Sequence, residues 1–101
     1  MSSFNVYTEK VLYWLLHHDY SKNHWITVAT EILAESENDL ETAIPRLGFA
    51  IRNFHLKFQD AVVKPGNVLY DLIDVAFISV DWDAVAKAFY EQTGLAAGPR
   101  A

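Results

Sequence analysis

Apolar residues recur at three- and four-residue intervals in five successive stretches of the chain, and this spacing predicts helices. Phe4, Tyr7, Val11 and Trp14 form the first stripe, widened by Leu12 and Leu15. Trp25 or Ile26, Ala29, Ile32 and Leu33 form the second. Leu47, Ala50 or Ile51, Phe54, Phe58, Ala61 and Val62 make the longest, and Leu69, Leu72, Ile73 and Ala76 the fourth. Turn signals separate these stretches at Tyr20-Ser21-Lys22-Asn23, Ser36-Glu37-Asn38-Asp39 and Lys64-Pro65-Gly66-Asn67. Asn38 with Glu41 reads as a capping box for the third helix, Asn67 as a cap for the fourth and Asp81 for the fifth. Val80 stands where it staples onto Val85, and Gly94 ends the fifth helix. Pro45 removes a backbone bond near the start of the third helix, so that helix is expected to be kinked or broken there. The pattern predicts an all-α fold, one compact bundle of four to five helices over residues 1–93, with a flexible tail at 94–101 containing Gly98-Pro99. The competing local reading is α+β. Phe54-His55-Leu56-Lys57-Phe58 alternates, and Lys64–Asn67 would join it to Val68-Leu69-Tyr70 as a hairpin around residues 54–73.

Composition changes this picture in one respect. With 51% hydrophobic residues in 101, the chain has more apolar surface than one small core hides, so part of it is expected at the surface or in a subunit interface. Thirteen acidic against eight basic residues give a net charge of −5. That balance argues against nucleic acid and anionic membranes as partners, which need clustered Lys and Arg. The absence of Cys excludes disulfides, thiolate metal sites and thiol nucleophiles. The opening MSSFNVYTEK lacks the features of a signal peptide, and no apolar run is long enough to span a bilayer. A cytoplasmic protein is expected.

Candidate chemistry is sparse. His17-His18-Asp19, with His24 downstream, has metal-ligand residue types. Adjacent helical residues point about 100° apart, however, so His17 and His18 cannot share an ion without a break in the helix. Asp71 and Asp74 lie three apart on the fourth helix and share a face that would suit Mg²⁺. Their apolar surroundings suggest a central helix with partly desolvated carboxylates, paired with Arg46, Arg52 or Lys57 if not functional. Over a quarter of the chain this stretch resembles the second metal-binding helix of the all-α nucleoside-triphosphate pyrophosphatases of the MazG type. The resemblance implies a Mg²⁺-dependent hydrolase with Glu31, Glu35, Asp71 and Asp74 as metal residues and Lys87 at a later basic position. The departure from that family's pattern is at the first pair, since Glu31 and Glu35 are four apart rather than three. No nucleophile elbow and no Gly-rich phosphate loop is present.

A surface is the remaining candidate. Tyr13, His17 and Tyr20 recur at intervals of four and three on the side of the first helix opposite its core stripe. Tyr suits interfaces, combining apolar area with a hydroxyl. The three tryptophans, Trp14, Trp25 and Trp82, are expected in the core. The leading functional expectation is a small acidic non-enzymatic helical protein without cofactor, an adaptor, inhibitor or immunity-type antidote. It would bind a protein partner through Tyr13, His17 and Tyr20 and self-associate as a dimer. The alternative is the Mg²⁺-dependent nucleotide pyrophosphohydrolase using Asp71 and Asp74.

Overall fold

The computed structural model describes residues 5–95 and contains five helices: α1 (Val6–His17), α2 (Asp19–Glu35), α3 (Leu40–Val62), α4 (Val68–Ile78) and α5 (Trp82–Gln92). No strand occurs among the described residues, so the fold is an all-α bundle. The hairpin reading of residues 54–73 is overturned. Phe54 and Phe58 lie on one side of α3, and what looks like alternation is the i, i+4 spacing of a helix. Phe4 and the tail beyond residue 95 lie outside the described residues.

The core is built from α1, α2, α5 and the first half of α3. Leu15, Ala29, Leu47, Ile51, Val85, Phe89 and Tyr90 are almost wholly removed from water. α5 packs against α3 and α1, while α2 packs against α1 and α3. α3 and α5 approach closely at Gly48, where an added Cβ would lie 3.0 Å from the Trp82 carbonyl oxygen. Polar ties close the body at its seams. The Tyr90 hydroxyl donates to the Ala29 carbonyl at 2.9 Å, and the Asp81 N–H donates to the Thr8 hydroxyl at 2.9 Å.

The caps follow simple chemistry. Asn5, Asp39, Asn67 and Asp81 each accept a bond from a backbone N–H in the first turn of α1, α3, α4 and α5. The expected Asn67 and Asp81 caps are present. Asp39, not Asn38, caps α3; Asn38 adopts φ +62° and Glu37 φ +57°, and these left-handed residues end α2 instead. α3 also runs unbroken through Pro45. In the second turn Pro45 deprives only the Glu41 carbonyl of a partner, and both residues are exposed to water. The first break in the chain comes earlier than Tyr20–Asn23. His18 leaves helical geometry at φ −102°, ψ 113°, and α2 starts at Asp19.

The radius of gyration, 14.2 Å, exceeds the roughly 12–13 Å of a compact domain this long. α3, at 23 residues, is about 34 Å long and outruns the core it serves.

Candidate interaction surface

The stripe that α3 buries does not stop where the core stops. At about 100° per residue, Phe54, Phe58 and Val62 continue the line of Leu47 and Ile51. α5 and α2 bury that line as far as Ile51; Phe54, 47% exposed, still meets the Trp25 ring of α2 edge-on at 5.5 Å, and Phe58 and Val62 lie exposed beyond it. Past the turn at Lys64–Asn67, where Gly66 adopts φ +87°, α4 folds back antiparallel to α3. Gln59 donates to the Tyr70 carbonyl at 3.1 Å, and the Tyr70 hydroxyl donates to Asp60 at 2.6 Å. That bond to Asp60 is the largest cause raising the Tyr70 pKa. Further along, the His55 and Phe77 rings meet with centroids 5.8 Å apart, and Phe77 and Trp82 do likewise.

α4 therefore lies against α3 through Tyr70, Ile73 and Phe77, all half-buried, and none of its residues is buried. Val68, Leu72 and Val75 share its opposite side, with Leu69 and Ile78 at the margins. Val68 is 69% exposed, Leu72 60% and Ile78 78%. The expectation of a central fourth helix with desolvated carboxylates is thus corrected: Asp71 and Asp74 are both exposed. An apolar composition suggests burial, but among the described residues this helix has no second layer against it. Ala61, Leu69 and Leu72, expected in the core, are exposed for the same reason.

On α1, Tyr13 and His17 are exposed and stacked at 4.3 Å. Tyr20, 89% exposed, stands on α2 rather than α1, because the helix breaks at His18 between them. Trp14 is not a core residue. It is 54% exposed and stacks on His18 at 3.9 Å, while Trp25 is buried and Trp82 half-buried. Tyr7 is also exposed, its place in the core taken by Thr8.

Glu31 and Glu35 lie exposed on α2, Asp71 and Asp74 on α4, and the structure does not bring the two pairs together. Among the described residues no group of three or more His, Asp or Glu side chains is placed to hold a metal ion. An open cleft of about 300 Å³ lies between α3 and the start of α5, with Phe49, Arg52 and Trp82 in its walls. His55 is the titratable group most altered by packing near it. Burial pushes its pKa down, partly opposed by the Nδ1–H bond to the Ile51 carbonyl at 2.7 Å. Every buried side-chain nitrogen or oxygen among the described residues has a partner, so no orphaned polar group points to a ligand.

The exposed side of α4 was not anticipated from its residues, although the apolar excess of the composition signalled that such a surface had to exist. Comparison with protein-family models, curated proteins and solved structures gives no match.

Proposed function

We propose that this protein is a non-enzymatic helical interaction module. Its body is α1, α2, α5 and the first half of α3, and its docking element is the apolar hairpin formed by the rest of α3 with α4. The observation that carries this reading is that α4, a helix of mostly apolar residues, buries none of them. Exposed apolar area of this extent on a folded chain marks a binding surface. The Tyr13–His17 pair on α1 and Tyr20 on α2 supply a second accessible surface. The hydrolase alternative lacks a converging carboxylate cluster among the described residues.

The double variant Leu72→Lys with Val75→Lys tests this reading. If the hairpin is a docking element, the variant keeps its helical circular dichroism and unfolds cooperatively, because its new charges face water. A variant that cannot fold would place α4 in the core and overturn the reading, since burying an unpaired charge costs several kcal/mol.

A further inference from the structure

We infer that the occupant of the exposed side of α4 is an amphipathic helix of another protein, one that carries Lys or Arg along one margin of its apolar stripe. This rests on the docking-element reading above and names the chemistry of the partner. Shape and charge carry it.

Val68, Leu72 and Val75 fall within about 60° of one another around α4, counting about 100° per residue. All three are exposed, on the side of α4 that points away from α3. They form a straight strip on a helix of 11 residues, about 16 Å long. Among the described residues there is no strand, so a partner has no sheet edge to extend and recognition falls to side chains. A helix with apolar residues three and four apart lays a matching stripe along this one, ridge into groove.

Charge selects which helix. α4 carries Asp71 and Asp74 and no base. Around the helix both lie on the same flank of the Val68–Val75 strip. That flank continues onto α3 through Asp60, whose carboxylate accepts the Tyr70 hydroxyl at 2.6 Å. The Tyr70 pKa is raised first by that bond and further by the charges of Asp60, Asp74 and Asp71, so three carboxylates gather around one hydroxyl. All three are exposed. The opposite flank carries Leu69, 56% exposed, and no charge. One margin of the strip is therefore acidic and the other apolar. A partner that complements both has its bases on one side of its own stripe. The net charge of −5 on the whole chain draws such a partner in.

The same features weigh against the other occupants. A second copy meeting this strip with its own α4 would set Asp71 and Asp74 against their like. A helix that lies in a bilayer surface holds the headgroups with Lys and Arg on its polar side, and α4 has neither.

The probe is a fluorescein-labelled peptide with leucine at three- and four-residue intervals, lysine along one margin of that stripe and glutamine elsewhere. Its twin carries glutamate in place of lysine. Fluorescence anisotropy with the full chain should show the lysine peptide bound about 10-fold or more tightly than the twin. Asp71→Asn with Asp74→Asn should weaken the lysine peptide about 10-fold. Glu31→Gln with Glu35→Gln makes the same change of net charge on α2 and should weaken it less than about 2-fold, since distant charges are screened. Leu72→Gln with Val75→Gln removes the apolar contact without adding charge and should weaken it on the order of 100-fold. No binding of the lysine peptide at hundreds of micromolar overturns the inference, as does equal binding of the two peptides or equal loss in the α2 and α4 charge variants. A full chain that is dimeric by light scattering, and monomeric as Leu72→Gln with Val75→Gln, makes a second copy the occupant and also overturns it. Flotation with phosphatidylcholine vesicles does the same in favour of a bilayer. The docking-element reading is decided separately by whether the lysine variant folds, so a folded lysine variant without peptide binding removes this inference alone. Should the glutamine variant fail to fold, the peptide pair and the asparagine variant still decide.

Discussion

Replacing Gly48 by Ala sets two opposed effects against each other at a close contact between α3 and α5. Gly48 is buried inside α3, where Ala is the better helix former by about 0.8–1.0 kcal/mol. The added Cβ, however, would meet Asp83 Oδ1 at 2.8 Å, the Trp82 carbonyl oxygen at 3.0 Å and its carbon at 3.1 Å. The Asp83 carboxylate is on an exposed side chain and can swing away. The Trp82 carbonyl belongs to the first turn of α5 and moves only if α5 moves. Forcing one methyl into such a contact costs about 1–3 kcal/mol. The balance is a net destabilisation of about 1 kcal/mol, which in a domain of this size lowers Tm by roughly 4–8 °C. Urea unfolding followed by circular dichroism should show a lower midpoint with an unchanged slope. In an Asp83→Ala background most of the loss should persist, because the backbone contact remains. If Gly48→Ala instead stabilises the protein by about 1 kcal/mol, as at an open helical site, α3 and α5 are not in contact here and the core assignment fails.

Four further outcomes are expected. Ile51→Ala should cost about 2–5 kcal/mol, whereas Phe58→Ala, measured in the lysine double variant, should cost less than about 1 kcal/mol, marking by urea unfolding where the core ends along α3. Asp81→Ala removes the bond to the Ala84 N–H and should cost about 1 kcal/mol by the same assay. Tyr90→Phe loses the bond to the Ala29 carbonyl, about 0.5–1.5 kcal/mol. Burial also pushes the Tyr90 hydroxyl from 10.0 up to about 12, so the unfolded chain releases its proton first and stability falls as pH rises from 10 towards 12. Tyr90→Phe should remove that part of the alkaline loss. For His55 the sign is opposite: its folded pKa lies below the ordinary 6.5, so the unfolded chain binds the proton first. Its contribution is complete above pH 6.5 and declines as pH falls below it. His55→Gln should flatten the slope of stability between pH 7 and 5.5; an unchanged slope would mean that the ring is not desolvated.

Local chemistry was legible wherever a single residue type acts alone. Asn67 and Asp81 cap their helices because a short polar side chain before an apolar stripe has one strong use there. Gly94 ends α5 at φ +82° for an equally local reason. The same logic failed where two such residues compete. Asn38 and Asp39 are neighbours, and α2's need for a left-handed terminator claimed Asn38, leaving Asp39 to cap. The α1–α2 break at His18 had no Gly or Pro to announce it. Tyr13 and His17 consequently stack on one helix while Tyr20 belongs to the next.

What the sequence determined by itself is an all-α fold of four to five helices, most of their limits and the fact of an apolar excess. Periodicity, caps and composition are properties of neighbouring residues and of totals, and they need no knowledge of which helix meets which. Which apolar stripes are covered was decided only by the tertiary structure. The stripe from Leu47 to Val62 is continuous in the chain, and nothing in its residues distinguishes Ile51, which is fully buried, from Phe58, which is exposed. The difference arises because α5 begins at Trp82, beside Gly48 and His55, and α2 reaches Phe54 through Trp25, so that Phe58 lies beyond both. α4 then packs on α3 by one side, and among the described residues no other helix packs on its other side. Burial depends on the presence of a neighbour, and the apolar pattern of a helix records only that it can use one.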